Sequence, residues 1–305
     1  MMNRTKWLFL CLSLLVIGSL VLAVVFARDW QQADGGNIGV ITLTGPIAES
    51  VGGSLQPDSI TPAKVRKLLQ LAEEDTNISA VVLRVNSPGG SVGASQEIGS
   101  LISNFPRPVV VSMADMATSG GLYISVFADH IVAQEGTITG SIGVILSHMY
   151  LGELFEKLGI TAEILTAGKY KGIFSERLNP ERREILQVFL DDLHSQFIEA
   201  VAAGRKVDAE RVREIATGEV FTGAQAQILG LVDSLGGLDT AIEEAAELAG
   251  VADPVPVDII LPPVPWWEEL GGFPSAVLDR LTLALLGKDA LILQQQLEKH
   301  LMPRW

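Results

Sequence analysis

Short runs of β-branched residues alternate with helical periodicity along the middle of the chain, and this alternation most limits the possible folds. Helices are predicted to begin at Thr61, after Gly90 and at Ser119. The predicted strands around them are Ile38–Leu43, Ala80–Val85, Pro108–Met113 and Ile131–Ala133. Strands joined through helices form crossover units, so the sequence predicts an α/β fold with a largely parallel sheet.

The chain becomes mainly helical after Pro180. Amphipathic patterns predict helices over 180–203, 208–216, 222–229 and 238–249. One domain is therefore expected over residues 38–250. Residues 251–305 form a Pro-rich and amphipathic tail, in which the prolines of Pro254–Pro265 argue against regular structure. Two interpretations of the tail stay open: an interface with a subunit or membrane, or packing on its own domain.

The N-terminal region has the pattern of a membrane anchor. Residues 1–6 carry Arg4 and Lys6, and residues 7–27 follow without a charge. About 20 apolar residues in a helix span the hydrocarbon layer of a bilayer. Positive charge before the span predicts a cytoplasmic N-terminus, with the rest of the chain beyond the cell membrane. The alternative is a cleaved signal peptide, which the length and the poor cleavage site before Arg28 disfavour. Residues 28–37 form a polar, Gly-containing linker.

Cysteine content and charge exclude several classes of function. Cys11 is the only cysteine and lies in the apolar span, so disulfides, cysteine catalysis and thiolate metal sites are excluded from the exported part. The formal net charge of −14 disfavours nucleic acid as a partner. No metal site and no cofactor is predicted.

Two Gly-bearing loops follow strands of the predicted sheet. Ser87–Gly90 reads as a turn by itself, and Ser119 reads as a helix N-cap by itself. However, both loops stand at strand ends, where active groups of α/β folds are expected, and both place glycine amides at the start of a helix. Such amides stabilise developing negative charge. The residues therefore allow Ser119 as a nucleophile, with Gly90 and Gly120 as the donors of an oxyanion hole.

A nucleophilic serine needs a base, and two kinds are open. The four histidines show no recognisable carboxylate partner in the sequence: His130, His148, His194 and His300. A lysine can serve when desolvation lowers its pKa toward neutrality. Lys169 and Lys171 stand in a Gly-flanked loop beside apolar residues, although most lysines are solvated surface charges.

Four motifs together resemble the signal peptide peptidase A family. They are V-N-S-P-G-G-S-V (85–92), M-A-T-S-G-G-L-Y-I-S (116–125), T-I-T-G-S-I-G-V (137–144) and G-K-Y-K-G-I-F-S (168–175). The resemblance extends over about residues 38–250. It implies serine proteases with a Ser/Lys dyad on a ClpP/crotonase-like fold, built from repeated ββα-type crossover units with a helical C-terminal part and preceded here by one transmembrane helix.

The resemblance also implies roles for individual residues. Ser119 corresponds to the nucleophile, Lys171 rather than Lys169 to the general base, and Ser141 to the serine that orients the lysine. Gly90 and Gly120 correspond to the oxyanion positions. The resemblance also implies a homo-oligomeric ring, with dyad residues contributed by neighbouring subunits. The implied substrates are hydrophobic peptides such as cleaved signal peptides.

Three rival functions stay open. A ClpP-like Ser-His-Asp peptidase would depend on a histidine such as His148. A crotonase-type acyl-CoA enzyme would share the two-loop oxyanion hole, but it would use carboxylates in the cytosol. A non-catalytic membrane-anchored assembly protein would use the glycines only as turns.

Overall fold

A parallel sheet forms the framework of the protein. The computed structural model describes residues 36–49, 59–161 and 163–261. Its strands are β1 (Ile38–Thr44), β2 (Ala80–Ser87), β3 (Val109–Thr118), β4 (His130–Ala133), β5 (Ile138–Gly140), β6 (Val220–Thr222), β7 (Ser234–Leu235) and β8 (Pro256–Asp258). The main order is β6-β5-β3-β2-β1-β8, and every pair is parallel except β5 with β6. The predicted α/β class is confirmed.

Strand β3 divides the sheet into two branches. Its first half, Val110–Met113, pairs with β4, which pairs in turn with β7. Its second half, Met116–Thr118, pairs with β5. Because β3 continues to Thr118, Ser119 follows directly at the end of the branch that β3 forms with β5.

Helices connect and cover the strands. They are α1 (Pro62–Glu74), α2 (Val92–Ser103), α3 (Gly120–Ser125), α4 (Gly152–Lys157), α5 (Pro180–Arg205), α6 (Ala209–Ile215), α7 (Gly223–Ile228) and α8 (Leu238–Ala249). The start of α1 follows the sequence prediction: the Thr61 hydroxyl accepts from the Lys64 amide at 3.1 Å, and Pro62 takes the first helical position. Helices α1, α2 and α3 lie between consecutive parallel strands β1 to β4, as crossover units require.

The best-defined core lies between α8 and the sheet. Small and β-branched side chains of α8, such as Ala241 and Ile242, pack on buried residues of β1 and β2, such as Val40 and Val82. Alanines on the helix allow close approach to the strands, so the sheet behind the site is held by a tight apolar layer.

The Pro-rich tail contains one strand that the sequence did not predict. Pro256–Asp258 pairs in parallel with Ile38–Val40 as β8. The expectation that proline blocks regular structure was wrong for these three residues, because an edge strand tolerates a residue without an amide donor.

The predicted anchor over residues 7–27 lies outside the described residues. In residues 36–49, 59–161 and 163–261, no helix is long and apolar enough to cross a membrane.

Candidate active site

Ser119 stands at the junction of β3 and α3 with an unusual backbone. Its φ is 51° and its ψ is −120°, a conformation that residues with a side chain rarely adopt. The residue occupies the N-cap position of α3, but its hydroxyl makes no capping hydrogen bond. Strained backbone that persists in a fold is concentrated at functional sites. The hydroxyl is therefore held on a sharp turn, and it is not used in a capping hydrogen bond to the helix.

Gly90 and Gly120 bring the two loops into direct contact. A Cβ atom on Gly120 would lie 3.1 Å from the amide nitrogen of Gly90. A Cβ atom on Gly89 would lie 2.6 Å from the amide nitrogen of Gly120 and 2.8 Å from the Cβ of Ser119. Within the described ranges, neither amide donates to a backbone carbonyl. The arrangement thus places two amide donors beside one hydroxyl, and only residues without side chains fit there.

Ser141 follows β5 and shares the unusual backbone of Ser119. Its φ is 54°, and its amide donates to the carbonyl of Glu219 at 2.6 Å. Ser119 is hydrogen-bonded to the residue before Ser141, because the Ser119 amide donates to the Gly140 carbonyl at 2.9 Å. The structure therefore brings the predicted nucleophile and the predicted orienting serine to neighbouring strand ends.

A cavity of about 710 Å³ lies over this point. Gly90, Ser119 and Ser141 all line it, and α5 forms another wall through Gln187, Leu190 and His194. A volume of this size falls within the usual range for ligand sites. Three of the predicted site residues thus face one cavity.

Lys171 does not line this cavity in the single chain. It lies in the turn-rich segment before α5, exposed to solvent, and its amide donates to the Gly168 carbonyl at 3.1 Å. Lysine and serine of the predicted dyad are therefore not brought together within one chain.

Lys169 is committed to a different interaction. Its Nζ atom lies 2.7 Å from Glu181 Oε1, and the Tyr170 hydroxyl donates to the same oxygen at 2.6 Å. The hydrogen bond to Glu181, followed by that with Tyr170, raises the pKa of Lys169. The same two partners lower the pKa of the Glu181 carboxyl. A lysine held in its charged form cannot accept a proton, so this interaction argues against Lys169 as the general base.

His194, rather than His148, shares the large cavity with Ser119. The Nε2 atom of His148 lies 3.1 Å from the Glu176 carbonyl, away from the cavity. His130 is the first residue of β4, with its Nε2 atom 2.8 Å from Ser234 Oγ. His194 lines the cavity, and its Nε2 atom is buried without a hydrogen-bond partner among the described residues.

The contribution of α5 to the site was missed by sequence analysis. Gln187, Leu190, Asp191 and His194 line the cavity and recur at helical spacing along one face of α5. The pattern was visible as amphipathicity, but nothing in it indicated which end of the sheet this face would cover.

Comparisons with known proteins show that the chain is similar to a family of proteases. The model of peptidase family S49 matches residues 104–252, and that of Clp protease matches residues 51–132. The Clp match supports the ClpP-like part of the fold prediction.

Three relatives have protease names. A Synechocystis sp. protein, provisionally named a protease, is 42% identical over 76% of this chain and 82% of its own length. An Enterococcus faecium protein, provisionally named signal peptide peptidase SppA, is 37% identical over 57% of this chain and 52% of its own. The chloroplastic serine protease SPPA of Arabidopsis thaliana is 34% identical over 70% of this chain, but the match spans only 32% of that protein.

Proposed function

The chain belongs to peptidase family S49, the family of signal peptide peptidase A, and from this premise we propose that it is a membrane-anchored serine endopeptidase. Its substrates are hydrophobic peptides such as cleaved signal peptides, which it degrades through an acyl-enzyme. The observation that carries the proposal is the position of Ser119, a strained residue between two glycine amides on the wall of a large cavity.

Ser119 acts as the nucleophile. The turn exposes its hydroxyl to the cavity, and the missing cap interaction leaves the hydroxyl available for attack. The same backbone keeps the hydroxyl beside the amides of Gly90 and Gly120. These amides donate hydrogen bonds to the negatively charged oxygen of the tetrahedral intermediate and so stabilise it. Losing one such donor typically slows acyl transfer ~10²- to 10³-fold.

Lys171 acts as the general base. Its neutral Nζ takes the proton of Ser119 Oγ as the oxygen bonds to the peptide carbonyl carbon. When the C–N bond breaks, the lysine ammonium returns the proton to the leaving amine. Water then attacks the ester with Lys171 as base again, releasing the acid and restoring the serine. Ser141 orients the lysine from the adjacent strand end.

A neighbouring subunit supplies Lys171 to each Ser119. In one chain, the lysine is exposed and stands outside the cavity. The segment around it carries most of the large apolar side chains that are exposed in the described residues, including Ile145 (93%), Met149 (80%) and Leu165 (89%). Covering this surface with a second copy would remove apolar area from water and desolvate the lysine. A repeated heterologous contact of this kind forms a ring when the rotation between neighbouring subunits closes.

The proposed anchor over residues 7–27 would hold the ring beside peptides left in the membrane after export, with the catalytic domain on the extracytoplasmic side. The apolar residues Val92, Ile142 and Val144 on the cavity wall suit hydrophobic peptide side chains.

Labelling with a fluorophosphonate tests the proposed function. A serine nucleophile beside an oxyanion hole displaces fluoride and becomes covalently modified, so we expect modification of Ser119 in the full-length protein, located by mass spectrometry. Ser119→Ala is the matched control and should give no labelling. A crotonase-type acyl-CoA enzyme or a non-catalytic assembly protein predicts an unlabelled Ser119, and that outcome would overturn the proposal.

A further inference from the structure

The loop that carries Gly90 is held by a buried side chain that the proposed mechanism does not use. This side chain belongs to Ser87, the last residue of β2. Ser87 is fully buried, and its hydroxyl accepts a hydrogen bond from the Gly89 amide, with the oxygen and nitrogen 3.1 Å apart. Serine commonly closes a turn by bonding to the backbone two residues on. Here the bond is buried and restrains the residue directly before a proposed oxyanion donor.

The other side of Gly89 is held by the chain that follows β1. The Gly89 carbonyl accepts from the Ile47 amide at 2.8 Å, and the Ile47 carbonyl accepts from the Ser91 amide at 2.9 Å. Ile47 is itself buried, and a Cβ atom on Gly90 would collide with its carbonyl oxygen. Gly89 is therefore hydrogen-bonded through both of its main-chain polar atoms.

The planarity of the peptide group lets these bonds orient the oxyanion donor. The Gly89 carbonyl and the Gly90 amide belong to one peptide group, and in a trans peptide the C=O and the N–H point in opposite directions. The hydrogen bond from Ile47 to the carbonyl thus fixes the direction of the Gly90 N–H. Within the described ranges, this N–H donates to no backbone carbonyl, so it is available to a substrate oxygen.

Ser87 also packs against the second loop of the site. A Cβ atom on Gly121 would lie 2.9 Å from the Ser87 carbonyl oxygen and 3.3 Å from the Ser87 Cβ. Gly121 directly follows Gly120, the other proposed donor. Close packing of this kind leaves the two loops little freedom to shift relative to each other. Ser87 therefore lies where the loops that carry both donors meet.

Loss of the Ser87 hydroxyl would deprive the Gly89 amide of its acceptor. A buried amide without a partner is unfavourable, so the loop would turn this amide toward another acceptor or toward water. Such a rotation changes the backbone of Gly89 and disturbs its hydrogen bond with Ile47. The direction of the Gly90 N–H consequently depends on a hydroxyl that does not touch the substrate.

We propose that Ser87 is a positioning residue of the oxyanion hole. Its hydroxyl, together with the Ile47 amide, holds the Gly90 N–H in the direction from which it donates to the oxygen of the tetrahedral intermediate. The proposal rests on the proposed function, because it needs Gly90 as an oxyanion donor for the acyl group on Ser119. A donor held in advance does not have to reorient during the reaction, and this makes such holes effective.

Ser87→Ala in the full-length protein tests this role. We expect kcat for peptide cleavage to fall about 10- to 100-fold, less than the ~10²- to 10³-fold for complete loss of a donor, because the donor is displaced rather than removed. KM should stay within about threefold, since the affected bond forms mainly in the transition state. A variant that keeps the kcat of the unmodified protein would overturn the proposal.

A tri-leucine peptide aldehyde gives a second readout that stability alone would not change. Ser119 Oγ adds to the aldehyde carbon, and the former carbonyl oxygen then lies at the oxyanion position. Its inhibition constant, measured by competition with the fluorophosphonate, should rise in Ser87→Ala by about the factor by which kcat/KM falls. Unchanged aldehyde affinity in a slower variant would show that the oxyanion hole is intact and would contradict the proposal.

Two further variants separate positioning from stability. Ser112 of β3 is also fully buried, and its hydroxyl accepts from Arg84 at 2.7 Å. Ser112→Ala is therefore the matched control, which should lower the free energy of unfolding but leave kcat and aldehyde affinity within about twofold. Ser87→Cys retains a similar shape with a weak acceptor and should lose less kcat than Ser87→Ala.

The cysteine variant decides the question if Ser87→Ala does not fold, and full kcat in Ser87→Cys would then contradict the proposal. Equal losses of kcat in Ser112→Ala and Ser87→Ala would also contradict it, because they would reflect the burial of serine in general. Failure of the fluorophosphonate to label Ser119 of the unmodified protein would instead refute the proposed function itself.

Discussion

The amide of Ser119 donates a hydrogen bond to the carbonyl of Gly140, with the nitrogen and oxygen 2.9 Å apart. This bond fastens the end of β3 to the end of β5, so Ser119 and Ser141 keep their separation by backbone structure rather than by side-chain packing. Both serines have positive φ values, 51° and 54°. The site is thus built where two paired parallel strands, β3 and β5, each end in a serine with a positive φ.

Two replacements of Ser119 separate the destabilisation caused by its positive φ from the catalytic role of its hydroxyl. Ser119→Ala and Ser119→Gly should both abolish peptide cleavage. Only glycine relieves the positive φ, and this relief of ~1–3 kcal/mol is partly offset by the greater chain entropy of unfolded glycine, ~0.5–1 kcal/mol. We expect urea titrations to give the glycine variant a free energy of unfolding about 1 kcal/mol higher than that of the alanine variant. A glycine variant that is the less stable of the two would show that the turn is not strained.

Lys171 and Lys169 form a matched pair for testing the base. Lys171→Ala should reduce kcat by about 10²- to 10⁴-fold, the usual contribution of general acid–base catalysis. Lys169→Ala removes an exposed ion pair with Glu181 and should leave kcat within a few-fold of the unmodified protein. Steady-state cleavage of an unfolded protein measures both. The reverse ranking of the two variants would transfer the role of base to Lys169.

His194 is the residue that separates the Ser/Lys mechanism from a Ser-His-Asp mechanism. It lines the cavity that holds Ser119, whereas His148 does not. Because its buried Nε2 atom has no hydrogen bond to Ser119 or to any other described residue, we expect His194→Ala to keep kcat within about tenfold and to alter mainly KM. A loss of kcat as large as that of Lys171→Ala would support a histidine base. His148 lies outside the cavity, so His148→Ala is the control and should leave both kcat and KM unchanged.

The fold and half of the site could be predicted because their determinants are local. Thr61 and Pro62 start a helix by capping and by a fixed φ, and Gly90 and Gly120 follow β-branched runs whose ends must share one edge of a parallel sheet. The wall from α5 brings His194 to the same cavity as Ser119, although the two residues are distant in sequence, and no periodicity encodes such a pairing. The β8 strand was missed for a similar reason, since Val257 pairs with Gly39 although a proline precedes it. Lys171 was predicted from a motif alone, and the motif did not indicate that the lysine would lie exposed and outside the cavity of its own chain.

Asp233 should make stability depend on acid pH. Burial opposes its ionisation, but the hydrogen bonds and charge of Arg205, together with the Ile131 amide at 2.8 Å, hold the pKa of the carboxyl below its ordinary value. A depressed pKa in the folded state gives stability that is complete above the unfolded pKa of ~3.9 and is lost as the pH falls through the lower folded value. Asp233→Asn should therefore destabilise the protein by about 2 kcal/mol at pH 7, less than the loss for a fully buried pair.

Denaturant titrations at pH 7 and at a pH well below the unfolded pKa of ~3.9 would check this expectation. The difference between Asp233→Asn and the unmodified protein should shrink at the lower pH, because protonation removes the same charge. Glu97→Gln breaks the exposed pair with Arg66 and is the matched control, with an expected change below about 0.5 kcal/mol at either pH. A constant difference across this range would contradict the assigned role of the Asp233 charge.

Mixing two inactive variants tests whether the dyad is completed between subunits. Ser119→Ala retains the lysine and Lys171→Ala retains the serine, so each is inactive alone. In a ring whose sites pair Ser119 of one subunit with Lys171 of the next, random mixing at equal amounts restores about a quarter of the sites, because both neighbours must be of the right type. Co-expression with two different affinity tags and sequential purification isolates the mixed rings for peptide-cleavage assays. Mixed rings without activity would place both dyad residues within one chain, which would require the segment bearing Lys171 to move from its exposed position into the cavity of its own Ser119.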